Sequence, residues 1–242
     1  RSPSRGLGDV YKRQIISCLL FTSVGWSKTI DSDDLILKDG LYYEKFTDKP
    51  FTGKVTGVEQ GKISKGKRDG KWIKYFENGQ FLLEGNYKDG KKDGEQLWYY
   101  ENGQFQYKWN YKYGKEEGEW KMYYESGVLW KKGNYKEGKK DGEQLSYWEN
   151  GQLGIKGNYK DGMKDGEQLH YHENGQLKHK WNFKDRKKDG ENIHYWENGQ
   201  LWVKENYKDG KKDGETLVYN ENGQFEKTKI YKDGKLIETI TP

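Results

Sequence analysis

Glycine recurs at positions 70, 94, 118, 142, 166, 190 and 214, each 24 residues after the last. A second series at 79, 103, 127, 151, 175, 199 and 223 keeps the same interval. Seven units therefore fill 71–238 without insertion or deletion, which restricts the chain to a repeat architecture. A unit this short cannot cover its own apolar face and must share it with its neighbours.

The recurring phrase is close to G-E-Q-L-x-Y-Y-E-N-G-Q-L-x-x-K-x-N-Y-K-D-G-K-K-D, and it holds two turn signals. Asn78-Gly79 and Asn102-Gly103 carry the dipeptide that favours a two-residue type I′ hairpin. Asp-Gly-Lys-Lys-Asp-Gly reads as a longer return connection whose glycines supply positive φ. Between them lie runs of about six to eight residues rich in Tyr, Trp, Leu and Ile, which suit strands and are too short for helices. One unit is then one hairpin, and the fold class expected is all-β: an elongated repeat array of antiparallel β-hairpins, an open single-sheet ribbon. Equivalent positions should repeat at about 10 Å, two strand spacings, for a length of roughly 70 Å. The expected division is a leader at 1–14, a signal-like segment at 15–27, an irregular N-terminal cap unit at 28–66 and the array at 67–242.

Positions that persist from unit to unit mark the packing. Tyrosine stands at 75, 99, 123, 147, 171, 195 and 219, and Phe or Leu at 81, 105, 129, 153, 177, 201 and 225. A third ladder runs from Tyr87 to Tyr231, with Phe183 its single non-tyrosine member. With a two-residue turn, Tyr100 should face Phe105 and Trp148 should face Leu153, placing the persistent tyrosine and the aliphatic residue two before it on the opposite face. Apolar atoms then occupy both faces, and periodicity does not single out the dry one. Two departures stand out: Arg186 replaces a return-turn glycine, at a strain of about 1 kcal/mol if φ is positive there, and Ser126 replaces a turn asparagine and is expected to loosen the third hairpin.

Composition agrees with a thin ordered sheet. Only 31% of residues are hydrophobic and 34% are charged, a balance that would favour disorder were the chain poor in aromatics. It holds 10 Trp, 20 Tyr and 8 Phe, the residues with the largest burial per side chain. Arg1, Arg5, Lys12 and Arg13 against Asp9 place +3 of the net +5 in residues 1–27, leaving +2 for the rest. That near-balance gives no bulk argument for nucleic acid or an anionic membrane. Cys18 is the one cysteine, so no disulfide framework is available.

Residues 1–14 match nothing downstream and are expected to be a non-native leader. The apolar run from Ile15 to Trp26 has the length of a signal-peptide core and is short for a membrane span. Ser23-Val24-Gly25 and Gly25-Trp26-Ser27 offer small-x-small cleavage patterns. Cys18 lies inside the apolar run, with Leu19, Leu20 and Phe21 after it, which is the wrong place for lipidation. The expectation is an exported protein, periplasmic or in the outer envelope of a Gram-negative bacterium, whose mature chain has no transmembrane segment.

Tyr99 to Phe105, Asn86 to Lys91 and Glu117 to Trp120 resemble MORN repeats, and more closely the bacterial 24-residue variant labelled as YwqK-type antitoxins. The resemblance covers some 170 of the 242 residues. The segment from Gly40 resembles the opening unit of such arrays, although Gly40 to Gly70 spans 30 residues. What the resemblance implies is a hairpin array used for association with proteins or membranes.

Candidate chemistry is sparse. His170, His172, His179 and His194 lie in the fifth and sixth hairpins or their borders, where equivalent positions about 10 Å apart do not converge as a zinc site requires. Asp89, Asp93 and Glu95 flank Lys91 and Lys92, which oppose a calcium ion, and their spacing is not that of an EF-hand. A ladder of Lys108, Lys132, Lys156, Lys180 and Lys204 near Trp130 and Trp202 would suit single-stranded nucleic acid, but glutamate ladders from Glu95 and Glu101 onward would repel phosphate. No serine sits in a nucleophile elbow, and no metal or cofactor is expected, so the chain reads as not an enzyme. What remains is a surface of aromatics that vary between units: Trp98, Tyr100, Tyr124, Trp130, Trp148, Trp196 and Trp202. The leading expectation is an unidentified protein partner held on that surface. The alternatives are a cell-wall or glycan-binding module and a cytoplasmic antitoxin.

Overall fold

The computed structural model describes residues 28–242. The leader, the signal-like segment and Cys18 lie outside these residues. From Gly53 to Ile240 each strand pairs antiparallel with its sequence neighbours, hairpin after hairpin, in one long open sheet. Thr29–Asp31 adds in parallel to Gly53–Thr56, which makes the sheet mixed at that end. A separate hairpin, Leu35–Lys38 with Leu41–Glu44, stands beside it. Among the described residues, buried apolar side chains cluster only here: Ile30, Phe51, Val55, Ile63 and Trp72, with Leu35, Tyr42 and Tyr87 packed against them.

The turns correct the expected assignment. Asn102 does not adopt positive φ; only Gly103 does, at 84°. The Gly103 N–H donates to Tyr100 O at 2.9 Å and the Tyr100 N–H donates to Gln104 O at 2.8 Å, a three-residue loop with a glycine bulge. Asn102 settles this geometry: its Oδ1 accepts from the Gln104 N–H at 2.9 Å, and its Nδ2 donates to Glu125 O in the next unit's turn, also at 2.9 Å. The two-residue type I′ turn sits in the return connection instead, where Asp89 (φ 50°) and Gly90 (φ 81°) are both left-handed and Lys88 pairs with Lys91. Some strands consequently run longer than expected, as in the nine residues of Lys91–Tyr99, while Phe105–Lys112 has the expected eight.

The extra loop residue shifts the register by one. Tyr99, not Tyr100, pairs with Phe105, and Tyr147, not Trp148, pairs with Leu153. A slip of one flips a side chain to the other face, so the persistent tyrosine and the Phe/Leu ladder share a face. The rings of Tyr99 and Phe105 lie 5.0 Å apart, and Phe105 and Tyr123 6.4 Å.

A second irregularity recurs in the return half of most hairpins. Gly157 pairs with Gln168 and Tyr159 with Lys164, leaving Asn158 alone opposite three residues. Such a bulge disrupts the ladder locally, and the glutamine adds a donor at its carbonyl: Gln168 Nε2 donates to Asn158 O at 2.8 Å, as Gln144 does to Asn134 O at 2.9 Å and Gln96 to Asn86 O at 2.7 Å, Asn134 O also accepting from the Asp141 N–H at 3.0 Å. The glutamine reaches that carbonyl by lying across the glycine of the neighbouring strand. A Cβ on Gly157 would sit 2.0 Å from Gln168 Oε1.

The two departures behave differently. Ser126 keeps the backbone bonds of its turn, with Tyr124 N–H to Val128 O at 2.8 Å, so the third hairpin closes like the others. What it lacks is the asparagine's side-chain link to the next turn. Asp185 and Arg186 are both left-handed, at φ 49° and 70°, so the positive φ expected at the return turn is present in a residue with a Cβ.

Two outcomes are expected. Arg186→Gly should raise stability by about 1 kcal/mol by removing the left-handed penalty, measured by urea unfolding. Gly157→Ala should lower it by about 2 kcal/mol, because Gln168 must leave the Asn158 carbonyl. The double variant with Gln168→Ala should then be less destabilised than the sum of the single ones, since both changes break one contact.

Candidate interaction surface

Residues paired across strands share a face. Leu97, Tyr99, Phe105 and Lys108 define one, the tyrosine face; Gln96, Trp98, Tyr107 and Trp109 define the other. The register puts Trp72, Trp98, Trp109, Trp120 and Trp181 on the second, the tryptophan face, and contacts with residues of that face put Trp130, Trp148, Trp196 and Trp202 there too.

On the tyrosine face three of the five ladder lysines are answered by carboxylates, while Lys108 lies over the Phe105 ring at 3.5 Å. Lys156, Lys180 and Lys204 reach Glu143, Glu167 and Glu191 at 2.9, 2.8 and 2.6 Å. Each such surface pair contributes only about 0–1 kcal/mol, so their main effect is to neutralise the face. The lysine ladder that the sequence reading set beside Trp130 and Trp202 is this one, and it stands on the opposite side from those rings. The cation actually over Trp130 is Lys131, at 4.0 Å.

The tryptophan face is built around a spine of Trp72, Gln96, Trp120, Gln144, Gln168, Asn192 and Thr216, all at most 7% exposed. Tyr42 of the separate hairpin stacks on Trp72 at 6.5 Å; beyond that end no second layer among the described residues covers the sheet, so neighbours on the same face bury them. Beside the spine run cations seated on rings. Lys92 lies 4.7 Å from the centroids of both Trp98 and Tyr111, Lys164 lies 5.2 Å from Phe183, and Lys188 lies 5.1 Å from Trp181 and 5.0 Å from Tyr207. Burial lowers the pKa of Lys92, Lys140 and Lys188, the sign expected for ammonium groups losing water.

All seven aromatics singled out from the sequence project on this face, and they have three kinds of use. Tyr100 and Tyr124 donate their hydroxyls to Tyr123 O and Tyr147 O of the following unit at 2.8 and 2.9 Å, and Trp196 Nε1 donates to Tyr219 O at 3.3 Å. These three rings therefore tie one unit to the next. Trp98 packs edge-on against Tyr107 and Trp109, while Trp148 covers Gly154. Trp130 stacks near Tyr124 at 5.6 Å and Trp202 near Trp196 at 4.9 Å. Trp202 is 39% exposed, and the other six are half-buried. They are distributed along the face and do not converge on one point. Trp109 and Trp181 belong to the same surface and escaped the sequence reading, because the units that carry glycine at their position hid its orientation.

The histidines are closer together than the repeat distance implied. His179 stands on the strand between those of His170 and His194, pairing with both. His179 Nδ1 and His194 Nδ1 lie 2.8 Å apart, so one must donate and the other accept. Burial first, then the neighbouring His194 and Lys178, lowers the pKa of His179 to about 4. Burial and two lysines, Lys164 and Lys178, lower that of His170 as well. Glu205 is 4% exposed; burial opposes its charge, but His194, Lys212 and Tyr207 hold its pKa at about 2. Among the described residues no set of three or more His, Cys, Asp or Glu is arranged to hold a metal ion. His170, His172, His179, Trp148 and Trp181 line an open groove of about 460 Å³.

Residues 68–89, 92–113, 116–137, 140–161, 164–185 and 188–209 match the profile of the MORN repeat variant, more than half of the chain. The chain belongs to this family. Each matched segment opens on the ring-seated position of Arg68, Lys92, Glu116, Lys140, Lys164 or Lys188 and closes on the first left-handed residue of the return turn. The last unit, from Lys212, lies outside the matched residues and carries Ile230 where the others place the bulge asparagine. No curated protein matches the chain. Among the described residues no helix is long and apolar enough to cross a membrane.

The histidine row sets a pH dependence. Above pH 6.5 His179 is neutral in folded and unfolded chains alike; between 6.5 and about 4 the unfolded chain takes up the proton first, so stability falls as pH falls. His179→Phe should reduce the slope of Tm measured between about pH 7 and pH 5, where Glu205, with its pKa near 2, stays charged. An unchanged slope would assign the proton uptake to other groups.

Proposed function

We propose that this MORN repeat protein is an exported, non-enzymatic scaffold that holds a protein partner against its tryptophan face. The observation that supports this reading is the asymmetry of the single open sheet. One face pairs Lys156, Lys180 and Lys204 with glutamates, whereas the other, beyond Trp72, leaves rings and ring-seated lysines uncovered by any second layer among the described residues. Large amphipathic rings with few rotatable bonds are the residues that dominate protein interfaces, and here a rigid ladder holds them in place. The ionisable groups already have structural uses: Glu205 anchors Lys212 at 2.6 Å and accepts from Tyr207 at 3.1 Å. Export rests on the apolar run from Ile15 to Trp26 alone.

The test compares three proteins immobilised at equal density: wild type, a tryptophan-face variant (W98A/W130A/W202A) and a tyrosine-face variant (K132A/K156A/K180A). Proteins retained from an envelope extract by wild type and by the tyrosine-face variant should be lost from the tryptophan-face variant, with circular dichroism unchanged. For a purified partner the expected weakening is about 2 kcal/mol or more, roughly thirtyfold. Retention independent of the tryptophan face, or strong binding to a neutral glycan array instead, would overturn the reading. Export is checked by expression behind a restored start codon, cell fractionation and mass: a periplasmic product cut near Gly25 or Ser27 is expected.

A further inference from the structure

On the tryptophan face three consecutive units place an unpaired lysine at the same position. Lys140, Lys164 and Lys188 are half-buried, each lies within 6 Å of two aromatic ring centroids, and none joins a carboxylate among the described residues. The run is bounded on both sides: Glu116 takes the position before it, and Lys212, the next member, is already bound to Glu205 at 2.6 Å. On the tyrosine face Lys156, Lys180 and Lys204 are each paired with a glutamate. Three partly desolvated cations in a row, none in a direct ion pair and only Lys188 close enough to Glu205 to feel its charge, are complementary to an anionic partner.

Resting on the protein-binding reading above, we propose that Lys140, Lys164 and Lys188 form a docking track for an acidic peptide segment in an extended, polyproline-like conformation, with an acidic residue at every third position and apolar residues between. The spacing supports this form of peptide. Equivalent positions in successive units are two strands apart, about 9.6 Å. A polyproline II helix advances about 9.3 Å in its three-residue turn and returns the same side to the surface. An extended β-strand alternates sides with period two and would point every second acidic residue away from the lysines.

The neighbouring groove completes the match. It opens between Trp148, His179 and Trp181, and the Trp181 ring is also within 6 Å of Lys164 and Lys188. Aromatic-lined grooves are the usual seat of polyproline segments, which lose little entropy on binding. Glu173 and Glu197 stand at the groove's rim. They oppose a polymer that carries negative charge on every monomer, such as a nucleic acid or a sulfated polysaccharide. A peptide can meet the lysines with carboxylates and the groove with apolar residues. Burial also lowers the pKa of Lys140 and Lys188, and a bound carboxylate would reverse that shift.

The probe is a fluorescein-labelled peptide of four Asp-Leu-Pro repeats, titrated against the full chain by anisotropy at low salt. A control peptide has the same composition with its acidic residues bunched. The regular peptide should bind, and K140Q/K164Q/K188Q should weaken it about tenfold, as three partly screened ion pairs would. K132Q/K156Q/K180Q on the tyrosine face should leave it unchanged, and circular dichroism reports whether either variant has lost its fold. Equal affinity for the bunched peptide, equal loss in both variants, or no binding would overturn the proposal. Tighter binding of heparin or polyuridylate, with the same dependence on the three lysines, would replace the peptide by a uniform polyanion. If no peptide binds while the tryptophan-face variant still loses protein partners, the docking track falls and the protein-binding reading stands.

Discussion

The structure depends on one contact more than any other: a long side chain on one strand lying over a glycine on the next and reaching the carbonyl at the bulge. Gln96, Gln144 and Gln168 make it with an amide, and Trp72 lies in the same way over Gly61, where an added Cβ would come within 2.5 Å of the indole. A sheet with no second layer has little apolar area to bury, so its dry line must be made within the face itself. Covering the backbone of the neighbouring strand removes water from its hydrogen bonds and satisfies a polar group that would otherwise cost about 1–3 kcal/mol. The buried centre of the array is for that reason largely polar, with the amides of Gln96, Gln144 and Gln168 donating to neighbouring backbone, while apolar side chains concentrate in the cap at the N-terminal end.

Much of the fold was legible because the period is unbroken and turn chemistry is local. The hairpin per unit, the antiparallel meander and the positive φ at Arg186 all follow from residues that act within a few positions of themselves. What was not legible is the choice between two dipeptides that both support a type I′ turn. Asn102 is drawn into a three-residue loop because its amide can serve the Gln104 N–H and the Glu125 carbonyl together. The second of those partners is 23 residues away and cannot be seen from the turn itself. One residue of loop length then reversed which ladders share a face, and with it the lysines that could be assigned to the tryptophans.

The candidate surface was legible in kind but not in composition. The variable aromatics share one face, since positions freed from the repeat's own packing are the ones that differ. They could not show that Tyr100, Tyr124 and Trp196 also tie consecutive units together, nor that Lys92, Lys140, Lys164 and Lys188 run beside them. Lys92, Lys140 and Lys188 each sit one residue after another lysine, Lys91, Lys139 and Lys187, and only the parity of the strand distinguishes them; Lys164 follows Met163. His179 escaped for a related reason: it is not the repeat equivalent of His170 or His194, yet the register sets it between them.

The bonds that join one unit to the next, such as Asn102 to Glu125 and Tyr100 to Tyr123, span 23 residues. In the array, then, a segment needs only the hairpin before it to find its place. Loop-closure entropy is small at such separations and does not grow as the array lengthens. The ribbon can assemble in the order in which it is synthesised, each hairpin adding to an edge that is already formed. Its number of units is accordingly free to change by whole duplications, and reach becomes a property that alters without redesign of any existing part.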